Sequence, residues 1–255
     1  MSVKLDNYYD LSQYVIILTG ATDGIGKEMA RLLSGYNPKR LILTAQFGEL
    51  HMLLNNAGYV GGTEVVNTKD GLEQQFQVNH LAPFLLTLLL LDTMKKSVST
   101  KLPGKIAFTS SALQSTGEID FDNLNLEKGA YWNPFKAYAN TKLMNVIVAK
   151  ELSRIVLNEN VKTYSLHPGV IKSNISNTTD YVSYFLLSVM LFFASPTEQG
   201  AINTLYPVLS PKNKDTGKYY HEGIEREPIE VAKDREVTKK LWNVSEQLLR
   251  ERGMI

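Results

Sequence analysis

Along the chain, short apolar runs rich in β-branched residues alternate with segments whose apolar positions recur at helical spacing. The short runs predict strands at about 14–19 (YVIILT), 40–45 (RLILTA), 51–55 (HMLLN), 105–110 (KIAFTS), 161–166 (VKTYSL) and 217–220 (GKYY). The segments between them predict helices at about 24–35, 70–96, 135–158, 197–209 and 228–251. That alternation implies an α/β fold in which a doubly wound parallel sheet is covered on both faces. Asp215 and Gly217 punctuate the entry to the last strand, and Trp242, Val244, Leu248 and Leu249 give the last helix its apolar stripe. No repeat, low-complexity tract or linker divides residues 1–255, so a single domain is expected.

Two longer apolar stretches, Leu81 to Leu91 (LAPFLLTLLLL) and Tyr184 to Ala194 (YFLLSVMLFFA), fall short of the roughly 18 to 20 residues that span a bilayer. Both read as buried helices. The stretch 184–194 could instead dip into a membrane surface, although it lacks the basic face of a strong interfacial helix. Near the N-terminus the apolar run Val15 to Leu18 is too short for a signal-peptide core and reads as a strand. The expected location is therefore intracellular, cytoplasmic or at a membrane periphery.

Composition narrows the chemistry. At 255 residues the chain can bury a core without staples, and its formal charge of +1 supplies no footprint for a nucleic-acid backbone. The absence of cysteine excludes disulfides, thiolate zinc, thiol nucleophiles and iron–sulfur clusters. The four histidines, His51, His80, His167 and His221, are isolated in sequence, and no metal is expected.

The first candidate site is the turn TGATDGIGK after the first strand, containing Gly20, Asp23, Gly24, Ile25 and Gly26. Its glycines permit a tight turn and close approach of a diphosphate, while the helix that follows offers free N–H groups and the positive end of its dipole. The second is Tyr138 with Lys142, four residues apart and so on one helix face, where an ammonium can lower the phenol pKa and make it an acid/base near neutrality. Ser110 and Ser111 close the strand that precedes it. Taken singly these signals are weak, since glycine turns, solvated Tyr/Lys pairs and strand-end serines are all common.

Their joint order is specific: TGxxxGIG, then Asn55-Asn56-Ala57-Gly58, a serine pair, YxxxK and His167-Pro168-Gly169. In this the chain resembles the short-chain dehydrogenase/reductase family, from about Val15 to Leu249. The stretches FQVNHLAPFLLT, IDFDNLNLEKG, AYANTKLMNVIVAKEL, YSLHPGVIKS, TGKYY and KLWNVSEQLL are most similar to its retinol dehydrogenase-like branch. The resemblance implies a Rossmann-type domain, with 175–210 forming substrate-side helices. It implies an NAD(P)-dependent oxidoreductase interconverting a lipophilic alcohol and its carbonyl, with NADP slightly favoured over NAD. Tyr138 would be the acid/base, Lys142 its partner and a ligand of the nicotinamide ribose, Ser111 the hydroxyl orienting the substrate oxygen, and Asn79 the holder of a water in the proton relay. Asn56, Ala57 and Gly58 would pack the adenosine-side ribose, and Pro168, Gly169, Ile171 and Ser173 would meet the nicotinamide. The helix after Asn79, apolar on nearly every side through Leu85, Leu86, Leu88, Leu89 and Leu90, would serve a homodimer.

One departure from the family is large. Only 35 residues separate Gly20 from Asn55, about half the family's usual interval, so that roughly forty residues have no counterpart. With them go a crossover helix, a strand, the acidic residue that meets the adenine ring and the basic residue that pairs with a ribose phosphate; Gln46 stands where an arginine is common. Spanning from Ala45 at the top of one strand to His51 at the foot of another two places away needs about 20 Å, close to the 20 to 22 Å limit of extended chain. Parallel crossovers normally take a dozen residues or more. Residues 40–45 could leave the sheet, element ends could unravel, or the sequence could be a shortened form of a complete enzyme, which is the favoured reading. An alternative follows: a protein with intact catalytic residues, poor dinucleotide binding and little activity.

Overall fold

The structure, a computed structural model, describes residues 3–5, 9–42, 48–61, 64–129, 135–171, 194–211 and 213–255. Its centre is one sheet in the order β2-β1-β3-β4-β5-β6-β7. The strands are β1 (Val15–Leu18), β2 (Arg40–Ile42), β3 (Met52–Asn55), β4 (Gly104–Thr109), β5 (Val161–His167), β6 (Lys218–His221) and β7 (Ile224–Arg226). All neighbours pair in parallel except β6 with β7. Both faces of β1 are apolar, and the pleat sorts them. Val15 and Ile17 join Phe84, Met94, Val148, Leu152 and Trp242 in one core, while Ile16 and Leu18 join Met29, Leu33, Leu205 and Val208 in the other. The first core is closed by α3 (Ala82–Ser97), α4 (Lys136–Ile155) and α6 (Arg235–Glu251), the second by α1 (Gly24–Gly35) and α5 (Thr197–Leu209).

Three elements differ from the pattern-based expectation, each for a local reason. The helix expected from 70 begins as α2 (Gln74–Phe76), because the Glu73 carboxylate caps Gln75 and Phe76 N–H at 2.9 and 2.6 Å. It passes through a π-helical turn, Gln77–Leu81, into α3. The helix expected from 228 begins at Arg235, capped by Asp234, after a short 3₁₀ turn at Glu230–Ala232. Strand β7 was not expected, since its three residues are all exposed and carry no alternation. It is formed by a two-residue turn in which Glu222 and Gly223 take φ of +52° and +80°, the hairpin conformation that glycine eases.

Residues 40–42 lie beside β1, with Ile42 level with Ile17 and, across it, Leu53. This part of the predicted strand therefore does not leave the sheet. The expected strand residues 43–45 lie outside the described residues, as does Gln46; by Glu49 the chain is back at the foot of the sheet, paired with Lys39 at 2.5 Å. Among the described residues no strand pairs with the outer edge of β2. On α3, Phe84, Thr87, Leu91 and Met94 are buried, whereas Leu89 is 58% exposed. No described helix is long and apolar enough to cross a membrane, and of the stretch 184–194 only Ala194 is described.

Candidate active site

The glycine turn leaves β1 at Thr19, a residue the sequence reading did not single out. Its Oγ1 accepts the N–H groups of both Asn56 and Ala57 at 3.0 Å, and Asn56 Nδ2 donates back to the Thr19 carbonyl at 3.1 Å. These bonds lock the end of β1 to the segment after β3. Gly20 has φ of +67°, and a Cβ there would lie 2.9 Å from Ala57 Cα. At Gly26 the constraint is space, since a Cβ would sit 2.0 Å from the Gly20 carbonyl oxygen. Asp23 caps α1 by accepting the Gly24 N–H at 2.7 Å. Gly26→Ala is expected to open the turn and cost about 1 to 3 kcal/mol, read as a melting temperature lower by several degrees. An unchanged melting temperature would show that the turn has slack.

At the other end, β4 and α4 assemble the polar groups. Ser110 Oγ donates to the Lys142 carbonyl at 2.7 Å, so the first serine pins the helix. Ser111 caps the following 3₁₀ turn (Ala112–Thr116), accepting Leu113 N–H at 3.2 Å, and it lines the cavity beside Tyr138, whose phenol its hydroxyl influences. The serine preferred in the sequence is the one that meets the phenol. Lys142, 1% exposed, donates through Nζ to the Thr109 carbonyl at 3.1 Å, and that carbonyl also accepts from Asn145 Nδ2 at 3.1 Å. The ammonium lies 5.3 Å from the Tyr138 ring centroid, and a Cβ on Gly58 would come within 3.1 Å of it.

Burial reverses one expectation. The Tyr138 phenol is pushed up to about 12 by desolvation, opposed only partly by the Ser111 hydroxyl, so it holds its proton through neutral pH rather than being lowered. Desolvation also pushes Lys142 down from its ordinary 10.5 to about 8.

Asn79, at the middle of the π turn and fully buried, is braced instead of free. Its Oδ1 accepts Tyr59 N–H at 2.8 Å, while Nδ2 donates to the Tyr59 carbonyl at 2.8 Å and to Thr141 Oγ1 at 3.1 Å. The side chain therefore fastens the Gly58–Tyr59 segment to α4, and its amide is committed to these partners.

Both ends open onto one cavity of about 440 Å³, within the range of small-molecule sites. Every expected site residue lines it except Asn79, which stands behind Gly58, and Ser173, which lies outside the described residues. Val60, Val78, Leu113, Phe135 and Val170 add an apolar lining that the motifs did not indicate. His51 and His80 are elsewhere: His51 Nδ1 accepts Val15 N–H at 3.1 Å, and His80 stacks between Phe76 and Phe84 with Nε2 2.8 Å from Ser245 Oγ. Both are structural.

A parallel sheet whose first strand runs through a glycine turn into a helix, with Ser, Tyr and Lys at the far end of the same cavity, defines a Rossmann-type α/β protein. A family profile described as short chain dehydrogenase matches residues 42–123. The chain is 30% identical over 279 aligned positions to retinol dehydrogenase 12 of Mus musculus, covering 92% of this chain and 86% of that protein. It is 37% identical over 205 residues to retinol dehydrogenase 14 of Homo sapiens, covering 78% of this chain, and there it spans only 59% of the relative's length. A short chain dehydrogenase from Burkholderia cenocepacia J2315, solved in complex with NADP, superposes with a TM-score of 0.62 at 16% identity, over 83% of this chain and 96% of that one. The chain belongs to the short-chain dehydrogenase/reductase family, in its retinol dehydrogenase-like branch.

Proposed function

We propose that this protein is a nicotinamide-dependent oxidoreductase that interconverts a lipophilic alcohol and its carbonyl, with its catalytic end complete and its adenosine end weakened. The observation that carries the reading is that Ser111, Tyr138 and Lys142 line the same cavity as the glycine turn. The turn fits a dinucleotide diphosphate, since Gly26 leaves only backbone where any side chain would project and α1 points its free N–H groups there. A bound nicotinamide dinucleotide supplies or accepts the hydride. Ser111 and Tyr138 hold the carbonyl oxygen, and Tyr138 gives it a proton as negative charge develops. In oxidation Tyr138 takes that proton. A phenol that keeps its proton at neutral pH suits donation, and the apolar lining from Val60, Val78, Leu113 and Phe135 suits a lipophilic substrate. Lys142 places a cation beside Tyr138 and Gly58, where a ribose would meet it, and Asn79 acts as a positioning residue through the Gly58–Tyr59 segment.

Two observations support the weakened adenosine end: no described strand pairs with the outer edge of β2, and the alignment of 279 positions exceeds the chain's own 255 residues, so the relative has residues without counterpart here. Fluorescence titration with NADPH and with NADH tests the reading and settles coenzyme choice. Saturable binding is expected, weaker than that of full-length family members; absence of binding at millimolar coenzyme by the folded chain refutes it.

Lys142→Met provides a second test with its sign fixed by linkage. Because the folded protein binds the Lys142 proton less readily than the unfolded chain, the group subtracts stability below about pH 8, less up to about 10.5 and none above. The variant should melt higher than the parent at pH 7, with the difference narrowing as pH rises, and should lose coenzyme binding and turnover together. Unaltered coenzyme affinity would remove Lys142 from the ribose site. The exposed Leu89 and its partly buried leucine neighbours on α3 support the homodimer, which sedimentation at micromolar concentration tests; a monomer refutes it.

A further inference from the structure

We propose that His167, His221 and Glu222 form a binding site for a borderline divalent cation such as Zn²⁺, in the wall of the cavity where β5 ends. The two histidines are far apart in sequence, but the parallel register of β5 and β6 sets them side by side. Their rings meet edge to face with centroids 4.6 Å apart. Glu222 follows at once in the β6–β7 turn, and its N–H donates to the His167 carbonyl at 2.9 Å. One donor atom from each of the three side chains lies within 4.8 Å of the others, and among the described residues no other trio of His, Asp or Glu does this.

Two features indicate that the grouping is built. His167 is 5% exposed, and its Nδ1 is buried without a hydrogen-bond partner among the described residues, a rare condition that leaves the imidazole's coordinating capacity unspent. Gly169, at φ +103°, makes room for the carboxylate: a Cβ there would stand 3.0 Å from Glu222 Oε1. Two imidazoles and a carboxylate are a donor set that suits Zn²⁺ and leaves a fourth position open. Tetrahedral zinc with bonds near 2.0 to 2.1 Å needs donor separations of about 3.4 Å, so from separations of up to 4.8 Å the site must contract by up to about 1.4 Å. The buried His167 is fixed, whereas half-buried His221 and exposed Glu222 have the freedom to move. Bound there, the ion would tie the end of β5 to the β6–β7 turn and stiffen Pro168 to Ile171, which line the cavity. The hydride chemistry needs no such ion, so the site is structural or modulatory.

The test uses the chain freed of affinity-tag histidines, stripped with EDTA and titrated with Co²⁺ and then Zn²⁺, with no coenzyme or substrate present. Its outcome is therefore independent of the oxidoreductase reading. One equivalent of Co²⁺ should give saturable visible absorption that Zn²⁺ abolishes, and Zn²⁺ at a hundredfold excess over its Kd should raise the melting temperature by roughly 5 to 10 °C. His221→Ala and Glu222→Gln should each weaken Co²⁺ binding at least about tenfold while melting near the parent without metal. Absence of saturable binding overturns the proposal, as does binding that both variants retain, which would place the ion elsewhere. Should His221→Ala fail to fold, Glu222→Gln, at an exposed turn position, decides alone.

Discussion

Tyr138→Phe is expected to lower turnover by roughly 10²- to 10⁴-fold while leaving coenzyme affinity close to that of the parent. The substitution removes one hydroxyl and its proton from the cavity and keeps the ring against which Lys142 packs. Ser111 remains the cap of its 3₁₀ turn, so the cavity wall should persist. Steady-state kinetics and a coenzyme titration on the same preparation separate the two effects. Turnover within about tenfold of the parent would take Tyr138 out of the proton-transfer role.

Comparable in size is the expected effect of restoring the interval between Ala45 and Gly48 with a family-like crossover helix and strand. Coenzyme affinity should rise by about two to four orders of magnitude. Each lost buried hydrogen bond costs about 0.5 to 1.5 kcal/mol and each charged one about 1.5 to 3, so two or three absent adenosine contacts account for that range at 1.4 kcal/mol per decade. The gain should come in affinity, since Ser111, Tyr138 and Lys142 are already assembled at the other end of the cavity. Paired titrations of both chains in one buffer measure it. Equal affinities would mean that other residues rebuild the adenine wall, and the reading of this chain as a shortened form would be withdrawn.

How legible the site was in the sequence depended on whether each feature is carried by local pattern or by distant packing. The apolar runs located β1, β3, β4 and β5 to within a residue or two, because a strand buried on both faces must be apolar nearly throughout, and they placed the start of β2 and the bounds of β6 within a residue. The glycine turn and the YxxxK spacing were readable because a tight turn and a shared helix face constrain residue type directly. Thr19 was not, since its bonds to Asn56 and Ala57 exist only once β1 and β3 are adjacent. The phenol's direction of shift is not legible in the sequence, because spacing reveals a nearby ammonium but not the burial that raises the phenol. The π turn around Asn79 likewise leaves no periodic signature over five residues. His167 and His221, isolated in sequence, become neighbours only through strand register.

The central claim, hydride transfer in the Ser111–Tyr138 cavity, is tested most directly by isotope transfer. Reduced coenzyme deuterated at the transferable position is supplied at millimolar concentration, so that a weak adenosine site does not mask the chemistry, with a panel of lipophilic aldehydes and ketones. Mass spectrometry of the products should find deuterated alcohol with the parent chain and a rate of labelling lower by roughly 10²- to 10⁴-fold with Tyr138→Phe. No labelled alcohol from a folded parent saturated with coenzyme, or equal labelling by parent and variant, would contradict the account.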